Sequence, residues 1–529
     1  VLTTFLIDGG YASILGWHLM ALAAVSAWSL LRCVRGLGRA ALATLLGLIL
    51  FGILGAGRME ARPSVYYDEF FYVAIARNMA TTGRAEPLVF EGLPPRVQRV
   101  GHFQPPYPQG WPYMLSLALD PASPPQPGLF EASSWEQALL VSRVLWAGLP
   151  PLFFLAARRR FSLPVAAASA LALPMLPFVL RLSGSVGAES GALFFMVLSW
   201  LALESFRGEP CSLNLGWLVL SGTALAEMRP EGLLYVPGLL GLAAGGMRSM
   251  KGGVCVAWLL VGGALLVPPG LVMGGHDPTL AHHFQVVPRG GFSLWGNRLA
   301  NLANNGLYFL LNRIWPVSLT LLALVGLSPV APSAQRRVAL LAAGWVGVIT
   351  LLLSWLPFGD YGAVNSLDTW RFGHHVALPG VLAAAVGAEA LTRRGALGRA
   401  LAGLALLWVM LAPWTYGSFL QQSHPLLRQD RLVATLRSEL GEGMALAEAP
   451  EYFCYLRYRH GLPVTLAPVA ELPRGGAVLF AVDEGAGLPD LEAWKAFDLE
   501  PVALDQELRP PVGLFRVHAR PGELGKAEN

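Results

Sequence analysis

The sequence predicts a polytopic α-helical membrane protein of about twelve spans, closed by a small soluble α/β domain. Three observations carry this. Of 529 residues, 54% are hydrophobic and only 14% are charged, with a mean hydropathy of +0.50; a soluble chain carries about 25% charged residues. Apolar runs that approach the length needed to cross about 30 Å of hydrocarbon recur along the chain. Basic residues gather at every second connection between those runs. A single core cannot grow enough at this length to explain the charge deficit, so a fibre, a disordered chain and a cytosolic enzyme are excluded. The net charge is only +4, which leaves no nucleic-acid footprint.

The runs fall at about 12–31, 40–57, 138–157, 163–180, 186–206, 213–229, 231–247, 253–274, 306–327, 338–357, 376–392 and 398–416. The first starts too late and lacks a basic segment before it, so it reads as a span and not as a cleavable signal. Arg32, Arg35 and Arg39, then Arg158 to Arg160, Arg207, Arg248 with Lys251, Arg336 with Arg337, and Arg393, Arg394 and Arg399 mark alternate connections. The positive-inside rule makes these ends cytoplasmic. Both termini then lie outside the cytoplasmic (inner) membrane, with outer loops at 58–137, near 275–305 and near 358–375. The expected organisation is an extra span and basic connection at 1–39, a membrane domain at 40–416, and an extracytoplasmic domain at 417–529. In that last domain a helical stretch at Leu427–Leu440 precedes apolar strands at Met444–Ala447, Val478–Val482 and Leu514–Val517. Of Cys33, Cys211, Cys255 and Cys454, only Cys454 lies in an outer domain, so no internal disulfide is expected, and no spacing suggests structural zinc.

The first outer loop carries the chemistry. It reads Tyr66-Tyr67-Asp68-Glu69-Phe70-Phe71-Tyr72-Val73-Ala74-Ile75-Ala76-Arg77-Asn78-Met79. Phe71, Ala74, Ile75 and Met79 recur at helical spacing and Gly83 is a stop signal, which predicts an amphipathic helix lying on the outer membrane surface. Asp68 at its start is either a cap that complements the helix dipole or a carboxylate held at the boundary as a base. Next comes His102-Phe103-Gln104-Pro105-Pro106-Tyr107-Pro108, a turn made rigid by proline. The apolar run Tyr113–Leu119 is too short to span and re-enters or lies flat.

Charges within or beside spans are costly and usually functional. Apart from Glu204 and Glu389, those in this chain lie toward the outer side: Arg143, Arg181, Glu189, Glu227, Arg229, Glu231 and Arg313. A one-sided set of arginines with carboxylates suits an anionic lipid-linked ligand. The alternative is mutual ion pairing that fixes helix packing, or snorkelling. Histidines group outside as His276, His282 and His283, and as His374 and His375. Solvated or interfacial histidine is the default there, with a divalent metal or a phosphate contact as the alternatives.

Together these segments resemble the C-type (GT-C) glycosyltransferases of family 39, which include dolichyl-phosphate-mannose protein mannosyltransferases and bacterial aminoarabinose transferases. The resemblance rests on Asp68-Glu69 with Tyr72 and Ala76-Arg77-Asn78-Met79, on the Pro105-Pro106-Tyr107 turn, and on Ser142-Arg143. It continues at Arg181 through Glu189, at Gly222 through Gly232, and at Trp370-Arg371-Phe372-Gly373-His374-His375. It departs where Gln104 precedes Pro105, since many bacterial members have lysine there and His102 would have to substitute. It departs also at Glu189, where Asp is commoner, and in the extra span 12–31.

The resemblance implies a GT-C-like fold and a sugar donor on a polyprenyl-phosphate carrier. The acceptor hydroxyl would belong to a lipid, a glycan or a protein. Asp68 would be the base, with Glu69 and Glu189 assisting. Arg143, Arg181, Arg229, His102, His374 and Arg371 would meet the donor phosphate, and Tyr72, Tyr107 and Glu231 the acceptor or the loops. No motif demands a cofactor. The rival classes are a multi-span transporter or flippase, a non-catalytic envelope assembly protein, and a polymerase that uses diphosphate-linked oligosaccharide. A transporter would place charges near mid-membrane and show paired halves.

Overall fold

The computed structural model describes residues 10–59, 68–84, 109–119, 131–229, 231–274, 315–355, 373–415, 425–441 and 443–447. It also describes 453, 455–460, 462–466, 477–482, 497–505 and 512–519. Helices occupy all twelve apolar runs. They are α1 (Tyr11–Arg35), α2 (Arg39–Ala56), α5 (Glu131–Ala157), α6 (Leu163–Met175), α8 (Glu189–Gly208) and α9 (Ser212–Met228), followed by α10 (Gly232–Met247), α11 (Gly252–Gly274), α12 (Val317–Leu327), α13 (Ser333–Trp355), α14 (His374–Thr392) and α15 (Ala396–Thr415). Short helices α3 (Asp68–Thr82), α4 (Gly110–Ser116) and α7 (Pro177–Leu182) lie between them. Among the described residues, seven helices are long and apolar enough to cross a membrane. The chain is a multi-pass membrane protein.

The run 163–180 is not one helix. Leu176 leaves the helical region at ψ 129°, and Pro177 starts α7. The residue before a proline is pushed out of the helical conformation, which breaks the run there. The break at Arg229 is equally real: its backbone is extended, α9 ends at Met228, and the Gly232 N–H closes a turn on the Arg229 carbonyl.

Helix α14 is buried along its length, with α12, α13, α15, α6 and α8 packed around it. Its approach to α12 depends on glycine. A Cβ on Gly387 would run into the Leu322 carbonyl oxygen, and one on Gly326 would meet the Ala383 carbonyl oxygen at 2.6 Å. In a bilayer, where lipid competes for apolar surface, such backbone proximity is a main source of helix association. The extra first helix, α1, lies on α9 and is pinned by polar contacts. The Tyr11 hydroxyl donates to Glu227 Oε2 at 2.5 Å, the Trp217 indole donates to Ser26, and His18 meets Thr223 and the Leu220 carbonyl.

The basic connections meet one another at one end of the bundle. Arg32 pairs with Glu209 at 2.6 Å and Arg160 with Glu204 at 2.6 Å. The Arg159 guanidinium donates to Cys33, and Glu389 accepts from Ser162. These contacts join four connections that are far apart in sequence, as alternating spans require.

After α16 (Pro425–Leu440) comes a five-stranded sheet in the order β2-β1-β3-β5-β4, made of Met444–Ala447 (β1), Val464–Leu466 (β2), Ala477–Val482 (β3), Phe497–Asp505 (β4) and Val512–Ala519 (β5). Strand β1 pairs in parallel with β2 and β3, while β5 runs antiparallel to β3 and β4.

Candidate functional site

The end of the bundle opposite the basic connections holds a second set of charges, and it is buried. Asp68 is the first residue of α3; its side chain lies outside the described residues. From Glu69 to Met79 every residue of α3 is buried. The expectation of an amphipathic helix on the membrane surface is therefore corrected. Phe70 to Ala76 is apolar without interruption, and a helix apolar all round belongs in a core. Helix α4, α5 and the C-terminal unit surround it. Gly83 ends the helix at φ +75°, a left-handed conformation that glycine takes without a Cβ clash.

Glu69 fixes the start of α3 to the loop before α8. Its carboxylate accepts from the Ser185 hydroxyl at 2.8 Å and from the Val186 N–H at 2.7 Å. That loop is also held from the other side, because the Trp111 indole of α4 donates to the Val186 carbonyl at 2.8 Å. Trp111 fits there because residue 191 is glycine, where a Cβ would strike the indole at 2.7 Å.

Glu189 opens α8 and is fully buried. Its Oε1 accepts from Arg229 Nη1 at 2.6 Å, and its Oε2 is buried with no hydrogen-bond partner among the described residues. Arg229 also donates to Glu231, from Nη2 at 3.0 Å and from Nε at 3.2 Å. Tyr72, one turn along α3 from Asp68, lies within electrostatic reach of Arg229. Glu231 is 3.9 Å from His375 Nε2, and His375 Nδ1 is 2.9 Å from the Tyr235 hydroxyl. Tyr235 in turn accepts from the Trp345 indole at 3.1 Å. Glu231 lies between Arg229 and His375. One arginine thus joins two carboxylates from the two ends of the 189–231 segment, a strong arrangement in a site that excludes water.

Tyr235 and Trp345 also form the wall of an apolar cavity of about 250 Å³ between α8, α10, α13 and α14, lined further by Met196, Trp200, Leu239 and Leu382. The polar network and the cavity share these two side chains. The site is therefore amphipathic, with a charged head region continuous with a hydrocarbon-lined slot.

The other candidates divide. Arg181 is buried on α7, which packs against α8 and α14. His374 is fully buried and stacks on His375, with ring centroids 3.8 Å apart. The default of solvated or interfacial histidines is corrected for this pair. Helix α14 begins at His374 and not at 376, which draws both rings into the packed first turn. Arg143 stays apart, donating to the Met59 carbonyl at 3.4 Å. His102, Tyr107 and Arg371 lie outside the described residues. Among the described residues no group of three His, Cys, Asp or Glu side chains is placed to hold a metal.

Two members of the network were not picked out from sequence, Tyr235 and Trp345; His375 was noted only as the neighbour of His374. Tyr235 carried a readable signal: it is one helical turn after Glu231 in an otherwise apolar span.

No protein-family model matches the chain, and no curated protein matches it. Solved structures do. A crystal structure of ArnT from Cupriavidus metallidurans bound to undecaprenyl phosphate superposes with a TM-score of 0.53 at 15% identity, covering 91% of this chain and 98% of that one. ArnT from the same organism in the apo state gives 0.49 at 15% identity over 93% and 98%. The S. cerevisiae protein O-mannosyltransferase Pmt1–Pmt2 complex bound to the sugar donor gives 0.33 at 14% identity over 49% and 35%. The first of these shows the fold: over nearly its whole length the chain has the fold of ArnT.

Proposed function

We propose that this protein is a membrane glycosyltransferase that moves a sugar from a polyprenyl-phosphate carrier to an acceptor hydroxyl at the outer face of the cytoplasmic membrane. One observation carries the reading: the buried charged network and the apolar cavity share Tyr235 and Trp345. A ligand with an anionic head and a long hydrocarbon tail fits both halves at once. That ArnT is solved with undecaprenyl phosphate on the same fold agrees with this.

In the proposed reaction the acceptor hydroxyl gives its proton to Asp68. The oxygen attacks the anomeric carbon in line, the bond from that carbon to the phosphate oxygen breaks, and the carrier leaves as its phosphate monoester. Configuration at the anomeric carbon inverts. Glu69 fixes the first turn of α3 to the 185–186 loop and so aims Asp68. Glu189 presents its Oε2 to the acceptor. Arg229 orders Glu189 and Glu231, with Tyr72 beside it. Arg181 and His374, on packed helices, neutralise the leaving phosphate, joined by Arg371 and His102 from the neighbouring segments. Arg143 guards the outer end of α5, and Tyr107 shapes the first loop. In this reading the chain crosses the membrane twelve times with both termini outside, and the network lies in the outer leaflet.

The test is binding by the purified full chain in lipid nanodiscs, read by native mass spectrometry. A long-chain polyprenyl phosphate should bind, and the polyprenol without phosphate should bind about 10- to 100-fold more weakly, as expected for loss of charge-assisted hydrogen bonds. Equal retention of the two would overturn the assignment.

A further inference from the structure

The first turn of α3 is held from two sides. On one side Glu69 grips Ser185 and Val186. On the other, the fully buried ring of Phe70 meets Tyr455 of the C-terminal unit, with centroids 5.6 Å apart and planes at 59°. Tyr455 opens a π-helical turn, Tyr455–Arg459, and is itself fully buried. Such turns are rare and concentrate at functional sites. This one is tied to its own sheet. The Tyr455 ring packs on Phe480 of β3 at 5.9 Å and edge-on to His460 at 4.9 Å, and the Leu462 N–H donates to the Leu456 carbonyl. Further along α3, Arg77 donates to Ser134 of α5 at 2.7 Å.

We propose that Tyr455 is a positioning residue for transfer: the C-terminal unit, through the Tyr455 ring on Phe70, sets where the first turn of α3 sits and therefore where Asp68 points. This rests on the reading of Asp68 as the base. The C-terminal unit is then part of the catalytic assembly and not an appended module. Without the ring, Glu69 and Arg77 still hold α3 in place. The helix persists, but its first turn gains freedom on the Phe70 side. Transfer is sensitive to that freedom, because a displacement of about 1 Å at the reacting groups costs on the order of 100-fold in rate. Donor binding is not sensitive to it, since Arg181 and His374, which meet the donor phosphate in that reading, lie on α7 and α14.

The experiment uses the full chain in nanodiscs with a titrated polyprenyl-phosphate sugar. Tyr455→Leu keeps an apolar side chain there and removes the aromatic pair. It should lower kcat about 10- to 100-fold with an unchanged donor KM. Phe70→Leu should do the same from the other side, and the double variant should be no worse than either single one, as expected for two halves of one contact. Tyr455→Phe keeps the ring and should restore kcat. Wild-type kcat in a folded Tyr455→Leu would overturn the proposal, as would a loss confined to KM or fully additive losses. If Tyr455→Leu yields no folded protein, Phe70→Leu with its Phe70→Tyr rescue carries the same two outcomes. Asp68→Asn runs in parallel. Full activity in that variant sinks the reading of the base. An inactive Asp68→Asn beside an unaffected Tyr455→Leu sinks only the positioning role.

Discussion

The two ends of the helical bundle use the same side chains for different ends. At the basic end Arg32 and Glu209 form a 2.6 Å pair, yet their side chains are 41% and 58% exposed. At the opposite end Arg229 and Glu189 form a pair of the same length at 9% and 0%. Exposed pairs contribute roughly 0–1 kcal/mol and here mark topology and seal loop ends. A buried pair is costly to assemble, and its members cannot be removed singly without stranding a charge. Among the described residues Glu189 Oε2 has no hydrogen-bond partner, and neither has Glu204 Oε1 at the basic end. The contrast teaches that charge alone does not mark a site in a membrane protein. The depth of the pair does: even the most buried pair at the basic end, Arg160 with Glu204, keeps its arginine 25% exposed.

The largest effect should come from Asp68→Asn. Asparagine caps a helix about as well as aspartate, so the fold should hold while transfer falls about 10²- to 10⁴-fold. Transfer rate and melting temperature of the purified variant decide it, and near-normal turnover in a stable variant would leave Asp68 as a cap. Next is Arg229→Gln, which strands the buried carboxylate of Glu189 and the half-buried one of Glu231 and should cost about 3–5 kcal/mol of stability, read as a lowered melting temperature. Arg32→Gln at the other end should cost no more than about 1 kcal/mol. Equal losses at the two ends would erase the comparison.

Much of this was legible in sequence. Length and apolarity placed a helix in each run, and Asp68 and Gly83 bracketed α3 because a first-turn acid and a terminal glycine are local signals. Strand β1 was readable as Met444–Ala447. Strand β4 was not, because Pro501 interrupts its alternation and demotes it; the structure accommodates it with a register shift between Pro501 and Ala503. The burial of α3 was hidden for another reason. Its covering partners, Trp111 and Tyr455, are far away in the chain, and a single sequence does not reveal which distant segments meet. The same holds for Glu69, whose partners Ser185 and Val186 lie more than a hundred residues on. Arg229 could be picked as a functional charge, but the carboxylates that claim it could not be chosen from spacing alone.

The central claim is that the buried end transfers a sugar from a lipid phosphate. Its most direct test is label transfer in membrane vesicles with and without the full chain, across a panel of polyprenyl-phosphate sugars carrying label in the sugar. The account predicts chain-dependent incorporation into an acceptor from at least one donor, with free polyprenyl phosphate released in equal amount. Incorporation that requires a nucleotide sugar instead, or none from any lipid-phosphate donor by protein shown to be folded, would contradict it.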